Sequence, residues 1–165
     1  MSSANALDPQ RLRRELLLQQ AIERRLDELV RLANLTAAML EKSSMEKSQL
    51  RNLLNVATTT SSPEVVINFI RYQIARENDK GNKWGKDQNS FGHTLIKRLG
   101  KEVRDWAATV TQEVNAHMPN EPSDALYSAA YIQLIRLFIG YLNRAFYYGK
   151  EVEDGFNQLQ ELANA

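Results

Sequence analysis

Apolar residues recur at helical spacing along most of the chain, and the strict alternation that marks a strand is absent. The pattern predicts an all-α protein, a compact bundle of five to six helices with a long N-terminal helix. Asp8-Pro9 opens that first helix, because an aspartate accepts from the orphan amides and proline has no N–H to lose at the first position. Ile22, Leu26, Leu29, Ala33 and Leu40 form its stripe, with Leu16 and Val30 beside it, and carry it over 9–41. Such length invites a coiled coil, but Leu17, Leu18, Leu32 and Leu35 spoil a clean seam and favour packing on a bundle.

Ser43 and Glu46 form a capping-box pattern for a second helix over 44–57, with Leu50, Leu53, Leu54 and Ala57 inward and Ser48, Arg51, Asn52 and Asn55 opposite. Ser62-Pro63 opens a third over 63–78, whose inner face is Val66, Ile67, Ile70 and Ile74. A polar loop over 78–90 holds Trp84 among lysines. Ser90 then caps a fourth helix over 91–116, striped by Leu95, Ile96, Leu99, Val103, Trp106, Val110 and Val114. A fifth helix over 124–148 is apolar nearly all round and belongs at the bundle's centre. Gly149 is read as its stop, before a short acidic helix over 151–162.

Composition narrows the class. The 165 residues fit one domain, 1–165. With no cysteine, disulfides and thiolate metal sites are excluded. No uninterrupted apolar run approaches the roughly 20 residues that span a bilayer. Met1 to Ala6 lacks the charged-then-apolar pattern of a signal peptide, so the expected location is cytoplasmic, without a membrane partner.

The net charge of +1 hides an asymmetry. Residues 1–41 hold six basic and six acidic side chains, residues 42–104 twelve and six, and residues 105–165 three and eight. The middle third can attract a polyanion, and the opposite charge of the last third allows copies to stack head to tail. Ordinary solvation of helix faces accounts for the same charges.

Catalysis finds little support. His93 and His117, the only histidines, flank a helix of about 36 Å at 1.5 Å per residue. There is no phosphate loop, no HExxH and no serine in a nucleophile elbow. The reading is a non-enzymatic protein that needs no cofactor or metal ion.

Two short segments carry what chemistry there is. In the second helix Arg51 shares a face with Ser48, Asn52 and Asn55, and Lys47 lies one turn earlier; guanidinium matches phosphate bidentately and the amides add neutral donors. In the third, Arg76 falls between Phe69 and Tyr72 on the helical wheel, where stacking can orient it toward a phosphate. The competing role for Arg76 is bonding to the helix's last carbonyls. Arg71 points elsewhere, toward solvent. Lys80, Lys83 and Lys86 flank Trp84, which either stacks on a base or tacks the loop onto the bundle. Base-reading motifs are missing, so any nucleic-acid contact is to the backbone. No helix-turn-helix is evident to support a DNA-binding regulator.

Ser48, Leu50, Arg51, Leu53 and Leu54 fit a Ser-x-[Ile/Leu]-Arg-x-Leu-Leu pattern. Tyr72, Gln73, Ala75 and Arg76 fit a Tyr-Gln-x-[Ala/Gly]-Arg helix end, and Tyr141, Phe146, Tyr147, Tyr148 and Gly149 an aromatic-glycine terminus. In this order the three resemble the small helical subunit of type III-A (Csm) CRISPR effector complexes. The resemblance implies a non-catalytic subunit of an antiviral ribonucleoprotein. Such a subunit stacks with copies of itself beside the repeated backbone subunits and touches the backbones of guide RNA and target RNA. By matched position Arg51 and Arg76 are the first candidates for RNA contact; Lys47, Arg71 and Lys80 extend the set by charge. A helical protein-interaction module without RNA binding, docking through helix 9–41, is the alternative.

Overall fold

The structure is a computed structural model that describes residues 8–164, and the N-terminal hexapeptide read for a signal pattern lies outside them. It is all-helical among those residues. The helices are α1 (Pro9–Glu23), α2 (Leu26–Ala38), α3 (Lys47–Thr59), α4 (Pro63–Ala75), α5 (Phe91–Arg98), α6 (Arg104–His117), α7 (Ser123–Glu151) and α8 (Gly155–Ala163). A π-helical turn, Leu99–Val103, joins α5 to α6 in one continuous rod, so the bundle has seven rods rather than five or six. One core cluster draws side chains from every helix.

The expected helix over 9–41 is two helices. Its start is as read: Asp8 Oδ1 accepts from Gln10 N at 3.0 Å, with Pro9 at the first position. The ladder then breaks at Arg24-Arg25, where neither glycine nor proline stands. The reason is tertiary: α1 lies on α6, whereas α2 lies on α7 and α8, and the chain must turn to reach both. Glu113 of α6 sits at the turn, its Oε2 2.8 Å from Arg24 Nη1 and its Oε1 3.7 Å from Arg25 Nη2. The turn also rotates the stripe. Leu18 enters the core while Leu16 and Val30 are exposed.

Other boundaries shift for local reasons. Helix α3 starts at Lys47 because Glu46 is its N-cap; Glu46 N donates to Gln49 Oε1 at 3.0 Å. Ser43, expected as the cap, instead accepts from Met45 N and donates its hydroxyl to Asn82 O at 2.7 Å. Ser62 caps α4 as expected, through Val65 N at 3.4 Å, but α4 ends at Ala75 with Arg76 as its C-cap. Ser90 holds the N-cap position of α5 without a side-chain cap bond.

Helix α7 is the centre, with α2, α3, α6 and α8 against it. By length and composition it could cross a membrane, at 29 residues and a mean hydropathy of 1.3 over its best window, although no such run was expected. In this fold Leu134, Ile135, Phe138, Ile139 and Leu142 of that helix are fully buried among the other helices. Gly149 does not stop it. The helix continues to Glu151, and the chain reverses at Asp154, whose φ of 59° is left-handed. Gly149 is needed instead for close approach: a Cβ there would lie 2.5 Å from the Phe156 ring, which packs on α7.

The π turn is tied to α7 by one hydrogen bond, from the buried Tyr131 hydroxyl to Leu99 O at 2.8 Å. Burial pushes that hydroxyl from 10.0 up to about 12. The folded protein therefore keeps a proton that the unfolded chain releases, and this contribution is full below pH 10 and lost as pH rises toward about 12. Tyr131→Phe should cost about 1–3 kcal/mol at neutral pH by leaving a buried acceptor without its donor. In urea unfolding, the stability gap between wild type and variant should narrow once pH passes 10. A constant gap would mean that the hydroxyl titrates alike in both states.

Candidate nucleic-acid interface

Helix α3 has two faces. Leu50, Leu53 and Ala57 are buried, and Ser48, Arg51, Asn52 and Asn55 are exposed. Spacings of three, four and seven residues place the second set along one outward ridge.

The ridge is positioned by polar side chains of α7 that sequence reasoning passed over. Asn143 Nδ2 donates to Leu50 O at 3.0 Å and to Ile139 O at 2.9 Å. Arg136 Nε donates to Ala57 O at 2.9 Å, and its Nη2 donates to Thr60 O at 2.7 Å. A guanidinium at the C-terminus of α3 satisfies orphan carbonyls and meets the negative end of the helix dipole. A signal was present: Arg136 and Asn143, seven residues apart on one face, are polar interruptions of an apolar helix.

A groove flanks the ridge on each side. Between α3 and α7 lies one of about 260 Å³, lined by Lys47, Arg51, Asn143, Arg144 and Tyr147 among others. Here Lys47 is ion-paired with Glu151 and stands 3.9 Å above the Tyr147 ring, so its charge is already answered. Arg51 and Arg144 are exposed and make no ion pair among the described residues. On the other side, between α3, α4 and the following loop, lies a polar pocket of about 460 Å³. Arg76 lines it, with Gln49, Asn52 and Gln73. Its guanidinium carbon lies 5.5 Å from the centroid of the exposed Tyr72 ring, within cation–π range.

The remaining candidates are more scattered. Arg71 is exposed on α4, and Lys80 is exposed on the loop; neither lines either groove. The loop is pinned rather than free. Both Glu77 carboxylate oxygens accept backbone amides, of Lys83 and Trp84, each at 3.0 Å. Asn82 bonds to Lys42, Ser43 and Ser44. Trp84 is buried in the core against Phe91, with ring centroids 5.7 Å apart, so it tacks the loop to the bundle and offers no exposed face to a base. Lys83 and Lys86 pair with Glu46 and Asp79 at 3.7 Å and 3.3 Å.

On the rod formed by α5, the π turn and α6, Arg98 is half-buried and donates to the buried Thr36 hydroxyl; burial lowers it from the usual arginine value, and Glu102 opposes this. Arg104 is held by a hydrogen bond to Tyr127 Oη at 3.1 Å, which raises it. Among the described residues no group of three or more His, Asp or Glu could hold a metal ion. No protein-family model, curated protein or solved structure matches the chain.

The anchoring of the ridge is testable. Arg136→Met keeps the apolar stem and removes both donors from the end of α3. It should cost about 1.5–3 kcal/mol in urea unfolding, and hydrogen exchange should quicken in the last turn of α3 ahead of the rest of the bundle. Uniform acceleration across all helices would mean that Arg136 acts only through packing.

Proposed function

We propose that this chain is a non-catalytic small subunit of a type III CRISPR ribonucleoprotein effector, working in the cytoplasm. In this reading it stacks along the complex with copies of itself beside the repeated backbone subunits. It rests its α3 ridge on the backbones of guide RNA and target RNA. The single observation that carries the reading is the pairing of that ridge with an uncommitted arginine in each flanking groove, Arg51 on one side and Arg76 on the other. Both belong to the motifs that resemble the Csm small subunit. Neutral donors between two cations suit a polyanionic backbone and give no means of reading sequence. Lys47, already paired with Glu151, is the weakest of the five candidates, while Arg71 and Lys80 widen the positive field from outside the grooves.

A helical protein-interaction module is the second reading, and one observation favours it. Leu12 and Leu16, one turn apart on α1, are 46% and 58% exposed and form an apolar strip with no partner among the described residues.

The isolated protein should bind RNA duplex weakly and without sequence preference, with affinity falling as salt rises. Arg51→Glu with Arg76→Glu should abolish that binding while circular dichroism stays unchanged. Single neutral variants should flatten the salt dependence by about one unit of log–log slope for each phosphate they cease to neutralise. Salt-independent binding, or full affinity in the double variant, would overturn the reading. Affinity purification with RNA retained separates the two functions. A repeated subunit with guide RNAs of uniform ends supports the first. A protein partner lost with Leu12→Lys and Leu16→Lys, in the absence of RNA, supports the second.

A further inference from the structure

The polar pocket beside Arg76 is larger and better equipped than a phosphate contact requires. Its volume of about 460 Å³ falls in the range that encloses a small organic ligand. Four amide side chains line it: Gln49 and Asn52 from α3, Gln73 from α4 and Asn78 from the loop that follows. Gln49 uses its oxygen to accept from Glu46 N, which leaves its NH2 group available. Arg76 also lines it, within cation–π range of the Tyr72 ring. Glu77 brings the one carboxylate among the lining residues, and both its oxygens are held by loop amides. Trp84 forms part of the wall; it is buried, and its indole Nε1 has no hydrogen-bond partner among the described residues.

We propose that this pocket takes a single unpaired ribonucleotide. Amides present paired donors and acceptors, the chemistry that meets the hydrogen-bonding edge of a base. A guanidinium at the rim meets the phosphate. With Arg76 and Lys83 against Glu77, and Glu46 drawn to Lys83 at 3.7 Å, the pocket suits a singly charged phosphodiester better than a polyphosphate. This goes beyond backbone contact by α3: a duplex offers its phosphates to the ridge, whereas only an unstacked base could enter the pocket. It also stands apart from any effector complex, because a lone nucleotide is enough to fill it.

The test titrates the isolated full chain with the 5′-methyl phosphodiester of each ribonucleoside in turn, a singly charged probe, and follows the indole N–H resonances. The chain has two tryptophans, so Trp106→Phe assigns the Trp84 signal. A saturable shift of the Trp84 resonance at millimolar nucleotide is expected, with smaller shifts from the nucleoside alone and from inorganic phosphate alone. Arg76→Gln, an exposed change that spares the core, should weaken binding about tenfold or more, and Arg51→Gln should leave it unchanged. No saturable shift, a shift reproduced in full by inorganic phosphate, or equal binding by Arg76→Gln would overturn the proposal. Because Arg51 serves the duplex and not the pocket, Arg51→Gln separates the two. Duplex affinity reduced with nucleotide binding retained leaves the pocket standing, and nucleotide binding abolished with duplex affinity retained removes the pocket alone.

Discussion

A 29-residue helix whose apolar residues run nearly all round must be covered along most of its length, and the fold follows from that requirement. Helices α2, α3, α6 and α8 lie against α7, and their contributions to the core are mostly leucine, alanine and valine. The exceptions on α7 decide how the cover is arranged. Arg136 and Asn143 cannot sit in an apolar interface unpaired, and each finds backbone carbonyls of α3. These bonds fix α3 along its length and around its axis. A helix so held has no freedom to choose which face it shows, and the outward ridge of Ser48, Arg51, Asn52 and Asn55 follows.

The same logic places both grooves. Where α3 meets α7 the side chains at the rim are long and cationic, so the seam becomes a positively charged cleft. Where α3 meets α4, the loop closes one end, and its fixed shape makes a pocket of what would otherwise be a shallow seam. The loop keeps that shape because Glu77, Asn82 and Trp84 each answer a separate need. Glu77 satisfies two backbone amides, Asn82 ties the loop to the start of α3, and Trp84 buries its ring.

Much of this was legible in the sequence where the cause is local. Asp8-Pro9 and Ser62-Pro63 mark true helix starts because a cap and a proline act on the residues beside them. The buried faces of α3 and α4 follow from periodicity, as does the outward set on α3. The break at Arg24-Arg25 was not legible, because its cause is the divergence of α6 from α7 and α8, far away in the chain. Glycine commonly ends helices, which makes Gly149 look like a stop, whereas its use here is to admit the Phe156 ring. Trp84 had two readings that the sequence alone leaves equal. The core position decides between them, and it removes the aromatic from the surface inventory of the site. Of the candidate cations, Lys47, Arg51 and Arg76 face the grooves, Lys47 already paired with Glu151, and the competing cap role of Arg76 is met only in part: its backbone N–H bonds to Tyr72 O while its side chain stays exposed.

The charge asymmetry acquires a different meaning once the pairs are traced. An acidic last third and a basic middle third look made to meet, within the molecule or between copies. Within it they scarcely do, since Lys47 with Glu151 is the one ion pair between them among the described residues. The acidic third is answered chiefly from the charge-balanced first third, by Arg14 to Glu121 and by Arg24 and Arg25 to Glu113. These pairs keep one or both partners partly open to solvent and are each worth about 1 kcal/mol, so they contribute little to stability. Their consequence is for the field outside. Because the first third supplies most of the internal counter-charges, the middle third keeps its surplus, and Arg51, Arg71, Arg76 and Lys80 stay exposed around α3 and α4. A surplus left unpaired beside two grooves is an attraction for a polyanion, and it weakens as salt screens it.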